Sequence, residues 1–166
     1  MFVRYNNVLN DEELAYCQQR VFKTATWAYG GYSRSLDDEF FWNMDLTTDE
    51  FFTKLFFEKI KKITNKNFIL EKVYANGATY GQPAQLHSDG REPNAYTFLF
   101  YPNPKWQPSW QGGTLFQKDS LNVTIAQYIP NSGILFKANI LHSAIEHSKQ
   151  FTGLRVSIAF KLKEIS

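Results

Sequence analysis

Residues 153–162 read GLRVSIAFKL, and the alternation in this stretch decides the fold. Leu154, Val156, Ile158, Phe160 and Leu162 share one face of an extended chain, while Arg155, Ser157, Ala159 and Lys161 share the other. Successive side chains of a strand point to opposite faces, so this is a strand with one face for a core. With the apolar face packed on helices or a second sheet, Arg155 looks inward beside Ser157 and Ala159. Those small neighbours leave a volume, and a guanidinium inside it requires an anion. Its planar fork suits a carboxylate. Taken alone, the same residue also reads as an edge-strand arginine with its charge in water.

Working outward, the whole second half carries short β-type runs, near 68–80, 95–101, 114–118, 122–128, 133–137, 142–147 and 154–163. Turn residues separate them, among them Pro102-Asn103-Pro104, Gly112-Gly113, Pro130-Asn131-Ser132-Gly133 and Thr152-Gly153. Many short strands without βαβ alternation indicate a sandwich or barrel. The first half carries two helices. Asn10 with Glu13 forms a capping box, and Leu14, Cys17 and Val21 follow on one face. A second start at Thr47-Thr48-Asp49-Glu50 leads into Phe52, Leu55, Phe56 and Ile60 at helical spacing, ending about Thr64. Residues 24–45 have no clean period. The expected architecture is mainly β with N-terminal helices, a jelly roll supported by two helices. It forms one domain over 1–166, with 1–66 as helical support and lid and 67–166 as the jelly-roll core.

The gross numbers agree with a globular chain. There are 166 residues, with 43% hydrophobic and 17% aromatic content, enough for one sizeable core. A formal net charge of +2 gives no field that steers the chain to nucleic acid or a membrane. The lysines at 59, 61, 62 and 66 read as a solvated helix face. A single cysteine, Cys17, rules out an internal disulfide framework and a multi-cysteine zinc site. The start, MFVRYNNVLNDEEL, lacks a signal-peptide apolar run, and no stretch approaches the ~18 apolar residues of a membrane span. A cytoplasmic protein with no membrane partner is expected.

Three histidines occur: His87, His142 and His147. His87 stands in LHSDG, two residues before Asp89, so in an extended segment the two side chains reach a common point. Two imidazoles and one carboxylate on one face of a metal leave positions open, the donor set of non-haem Fe(II). The bland reading of His87 is a loop histidine, or a core histidine bonded to Asp89. His142 opens a strand where a barrel rim is expected and is the candidate third ligand. His147, flanked by Glu146, Ser148 and Lys149, is expected at the surface.

His87-x-Asp89, then His142, then Arg155-x-Ser157 resembles the iron(II)/2-oxoglutarate-dependent dioxygenases, whose double-stranded β-helix is a jelly roll. Within them the chain is similar to the prolyl 4-hydroxylase-like group. That similarity lies in Gly81-Gln82 ahead of His87, Phe98 to Tyr101-Pro-Asn103, Gly112-Gly113-Thr-Leu115-Phe116, and Gly133 to Phe136 followed by His142-Ser143. The resemblance covers about residues 68–163. It implies that His87, Asp89 and His142 hold Fe(II), and that Arg155, with Tyr101 and Ser157, binds the distal carboxylate of 2-oxoglutarate. It also implies O2 as oxidant, ascorbate as an accessory reductant, and succinate and CO2 as products. The substrate implied is a protein, peptide or small molecule, hydroxylated on a peptidyl or free amino acid residue. The tyrosine this group often carries nine residues before the first histidine is here Ala78. Tyr74, Asn76 and Tyr80 share its face by strand period, and Tyr80 is the expected substitute. Residues 24–46 and 102–111, both aromatic-rich, read equally as lids over the site or as packing.

Two other functions fit parts of the pattern. Asn76, Gly81, His87-x-Asp89 and Arg155 followed by Lys161 are similar to the nucleic-acid demethylases of the same superfamily. A jelly roll with polar rim residues also suits a non-catalytic module that binds a small molecule or glycan.

Overall fold

The computed structural model describes residues 1–31, 40–82 and 84–165. Ten strands and two helices follow in the order β1 (Phe2–Asn6), α1 (Asp11–Phe22), β2 (Ala28–Gly31), β3 (Phe41–Asp45), α2 (Phe57–Thr64), β4 (Phe68–Ala78), β5 (Ala95–Tyr101), β6 (Thr114–Gln117), β7 (Val123–Ala126), β8 (Ser132–Lys137), β9 (His142–Ala144) and β10 (Arg155–Glu164). Seven strands form one antiparallel sheet, ordered β1-β8-β5-β10-β4-β3-β2, and a smaller sheet runs β7-β6-β9. Two facing antiparallel sheets with helices behind the larger one make the jelly roll the sequence indicates.

The large sheet is buried on both faces. On one side Val156, Ile158, Phe160 and Leu162 of β10 meet Cys17 and Val21 of α1 and Phe52, Phe56 and Ile60 around α2. Each fully buried side chain of this size contributes roughly 1.5–3 kcal/mol, so β10 anchors the helical layer. Between the sheets a second cluster joins Leu99, Tyr101, Phe116, Tyr128, Ile134 and Phe136. The inward face of β10 therefore holds Arg155, Ser157, Ala159 and Lys161, as the alternation requires.

Local chemistry accounts for the helices. The Asn10 side chain accepts from Glu13 N and the Glu13 carboxylate accepts from Asn10 N, each at 2.9 Å. The second helix begins later than Thr47. The Asp49 carboxylate accepts the Phe51 N–H at 3.0 Å, and a π-helical segment, Phe51–Phe56, leads into α2. Asn65 ends α2 in the left-handed region, at φ 53°.

Three strands lie outside the sequence expectation. β1 pairs with β8, and β2 and β3 extend the sheet beyond β4. The first 66 residues thus supply sheet as well as helical support. β4 carries a bulge: Lys72 faces Lys161 but Leu70 faces Leu162, leaving Glu71 extra. The bulge lets Leu70 and Phe68 join Val73 and Ala75 in the core although their parity differs. No helix among the described residues is long and apolar enough to cross a membrane.

Candidate active site

Between the sheets lies a cavity of about 840 Å³, whose wall includes His87, Asp89, His142, Arg155, Ser157 and Lys161. The backbone locates the two histidines first. His87 N donates to His142 O at 2.9 Å, and His142 N donates back to His87 O at 2.8 Å. Asp89 N and Gly90 N both donate to Ala138 O, at 2.8 and 3.1 Å, so the LHSDG segment runs beside the approach to β9.

The ligand atoms then converge. One atom from each of His87, Asp89 and His142 lies within 4.8 Å of the others. His87 Nε2 stands 3.6 Å from Asp89 Oδ1, and His142 Nε2 stands 3.5 Å from Asp89 Oδ2. Each ring has its Nδ1 at 2.9 Å from a carbonyl, Gln85 O for His87 and Ile140 O for His142. A carbonyl only accepts, so Nδ1 carries the proton and Nε2 presents a bare lone pair to the centre. Burial pushes the His142 imidazole down to about 4, against the opposing pull of Asp89, so the ring is neutral at pH 7. Burial alone would raise the Asp89 carboxyl. The neighbouring His87 and the ammonium charge of Lys161 outweigh it and hold that carboxyl well below the usual carboxylate range. Two imidazoles whose Nε2 atoms face the centre and one carboxylate fit a divalent metal with open positions.

Around Asp89 the supporting contacts are dense. Thr97 of β5 donates its hydroxyl to Asp89 Oδ2 at 2.5 Å. The Lys161 ammonium forms an ion pair with the same oxygen and lies 3.3 Å from Thr97 Oγ1. Sequence reasoning missed Thr97 and the part played by Lys161 here. Lys161 was traceable, because strand parity puts it on the Arg155 face. Thr97 becomes visible only through its pairing opposite Lys161.

At the far end Arg155 is 2% exposed. Its Nε donates to Gly112 O at 2.6 Å and its Nη2 to Gly113 O at 2.9 Å. These glycines have a steric cause: a Cβ on Gly112 would sit 2.7 Å from the Trp106 ring, and one on Gly113 would sit 2.3 Å from Ala126 O. The Tyr128 ring lies 5.4 Å from Arg155 Cζ. No carboxylate among the described residues pairs with this guanidinium, so a buried cation with spare N–H donors faces the cavity, as a carboxylate ligand requires. Ser157 lies on the same face of β10. Tyr101 is fully buried, packs its ring at a tilt against that of Tyr128 with centroids 4.4 Å apart, and shares a 2.8 Å hydrogen bond with Thr114 Oγ1. Burial pushes its phenol up, with Arg155 opposing.

Two expectations need correcting. Tyr80 is 57% exposed and does not line the cavity, because β4 ends at Ala78 and the chain turns before it. Tyr74, four residues before Ala78 on β4, lines the cavity instead. His147 is not at the surface; it is 1% exposed, between Trp106 and Phe151. β9 stops at Ala144, and the chain folds back so that His147 pairs with Gln111. Trp106 stacks on Tyr128 at 4.2 Å, and the 102–111 loop packs the closed end of the barrel, away from the cavity lining. The 24–46 stretch is partly outside the described residues, but Gly30, Phe41 and Asn43 line the mouth.

No family model matches the sequence, and no curated protein matches it. Solved structures do match. A prolyl hydroxylase from Trichoplax adhaerens, in complex with a hypoxia inducible factor oxygen degradation domain peptide, superimposes with a TM-score of 0.72 at 16% identity, over 98% of this chain and 83% of that one. An oxidoreductase of the 2OG-Fe(II) oxygenase family from Burkholderia pseudomallei gives 0.74 at 9% identity, over 98% and 84%. The viral collagen prolyl hydroxylase of Paramecium Bursaria Chlorella virus-1, a 2OG complex, gives 0.65 at 15% identity, over 99% and 96%. The chain has the fold of the 2OG-Fe(II) oxygenases. Prolyl hydroxylases are among the enzymes that share it.

Proposed function

We propose that the chain is an Fe(II)- and 2-oxoglutarate-dependent dioxygenase that hydroxylates a peptidyl or free amino acid residue and releases succinate and CO2. One observation carries this. A single cavity holds the His87–Asp89–His142 cluster at one end and the buried, carboxylate-free Arg155 at the other. Iron and 2-oxoglutarate, when bound, supply the oxidation, with O2 as oxidant. The protein supplies position and shielding.

His87 and His142 would offer Nε2 lone pairs to the metal, each ring fixed through its Nδ1–H. Asp89 would offer one oxygen while Thr97 and Lys161 hold its carboxylate in orientation. Arg155 would seat the distal carboxylate of 2-oxoglutarate, with Ser157 beside it. Tyr101 and Thr114, bonded to each other at 2.8 Å, would close that end. Ala159 and Ser157 leave the corridor between the two ends open. Ascorbate would serve as an accessory reductant of the metal.

Succinate release from 2-oxoglutarate tests this directly, with Fe(II), ascorbate and a panel of prolyl peptides and free amino acids. The expected result is stimulation by at least one acceptor, lost in Asp89→Ala. A metal-loaded protein that releases no succinate above the Asp89→Ala background with any acceptor would overturn the function.

A further inference from the structure

The cavity has a second basic feature. Lys161 of β10 and Lys72 of β4 are directly opposed cross-strand partners. Both line the cavity, and both ammonium groups lie over the ring of Tyr74, at 5.7 and 5.2 Å. Like charges directly opposed across a sheet are destabilising. The bulge at Glu71 maintains this arrangement, since it returns Leu70 to the core and leaves Lys72 on the cavity face.

The nearby acids, Asp89 beside Lys161 and Asp45 near Lys72, relieve the pair only in part. The Asp45 carboxylate accepts from Thr47 N at 2.9 Å and from Thr47 Oγ1 at 2.6 Å. Glu71 is exposed, and Lys72 forms no ion pair among the described residues. Lys161 pairs with Asp89, its side chain 19% exposed. A divalent metal at the His87–Asp89–His142 cluster would draw charge from that carboxylate while Lys161 stays on its Oδ2, so the two opposed ammonium groups would be only partly neutralised. Nor does the 2-oxoglutarate site serve both basic ends. Lys161 is six residues along β10 from Arg155, about 20 Å at the rise of a strand, and the guanidinium is held away from it by Gly112 and Gly113.

On the basis of the oxygenase function proposed above, we infer that Lys72 and Lys161 bind an anionic oxyacid group of the primary substrate, a carboxylate or a phosphate, at the metal end of the cavity. The substrate is therefore acidic at the end that sits against Tyr74. A free amino acid with its own carboxylate fits this better than an uncharged residue within a chain.

Amide NMR on the zinc-loaded, 2-oxoglutarate-saturated protein tests the pair, with sodium acetate and inorganic phosphate as probes. Saturable shifts at Lys72, Tyr74 and Lys161 are expected. Lys72→Gln is expected to weaken them at least fivefold while 2-oxoglutarate affinity stays within twofold. The probe that binds more tightly identifies the group as carboxylate or phosphate. Absence of saturable shifts in a protein that binds zinc and 2-oxoglutarate would overturn the inference and leave the oxygenase function standing, as would an unchanged titration in Lys72→Gln. Failure to bind 2-oxoglutarate would overturn the oxygenase function alone. The metal-free protein is then still expected to show weaker, Lys72-dependent shifts, and their absence would overturn the pair as well.

Discussion

His87 and His142 are joined through their backbones, N to O in both directions at 2.9 and 2.8 Å. The two candidate metal ligands are thus located by the chain itself and not by their side chains. Truncating either imidazole removes a ligand without undoing the pairing that places it. His87→Ala is expected to lower Fe(II) or Zn(II) affinity at least 100-fold, by calorimetric titration, with little change in melting temperature. His142 also packs on Phe116 and Phe136, so His142→Ala is expected to cost about 1 kcal/mol of stability in addition.

Thr97 donates to Asp89 Oδ2 from a fully buried position. Thr97→Val keeps the shape and removes the donor. Loss of such an outer hydrogen bond typically costs ~10–100-fold in metal affinity. That range is expected here, with near-native circular dichroism. An unchanged metal affinity would show that Thr97 does not orient the carboxylate.

Glu13 closes the capping box of α1 and pairs with Lys59 of α2, joining the two helices. Burial acts to raise its carboxyl, but the Lys59 and Asn10 bonds dominate and lower it. A depressed folded-state pKa gives stability that is present above the ordinary carboxylate value, near 4.5, and is lost as pH falls below it. Glu13→Gln is expected to cost about 1 kcal/mol at pH 7 in urea unfolding, with the difference from wild type fading below pH ~4.

Gly133 of β8 lies under the Phe98 ring, where an added Cβ would fall 2.1 Å from Cζ. Phe98 is fully buried and cannot swing away. Gly133→Ala is expected to destabilise the protein by roughly 1–3 kcal/mol, measured by chemical denaturation. The Gly30→Ala site meets nothing within 4 Å, although its φ of 117° adds backbone strain, so steric crowding contributes nothing there.

The jelly roll was legible where one face of a strand is buried. β10 alternates because its two faces meet a helical core and a cavity, β5 carries a long apolar run, and β8 carries a short one, Ile134 to Phe136. β1, β2 and β3 were not legible. FVRYN is a short edge, AYGG has almost no side chains to alternate, and all three exist through pairing, β1 with β8, β3 with β4 and β2 with β3. The close approach of His87, Asp89 and His142 followed from spacing and strand placement. Tyr80 was misplaced because period 2 was carried past the end of β4 at Ala78. His147 was misplaced because polar neighbours were taken as exposure, whereas the backbone pairing with Gln111 buries it. The Lys72–Lys161 opposition depends on the register across a bulge, which no local pattern encodes.

The most direct test is an anaerobic titration of the purified protein with Fe(II) and then 2-oxoglutarate, followed by the visible metal-to-ligand charge-transfer absorption. The wild type is expected to develop the band, His142→Ala to lose it, and Arg155→Ala to need at least ~30-fold more 2-oxoglutarate, since losing one partner of a buried charged pair costs ~2–5 kcal/mol. A wild-type protein that binds Fe(II) but shows no band at any 2-oxoglutarate concentration would contradict the account, and the cavity would then be that of a binding module.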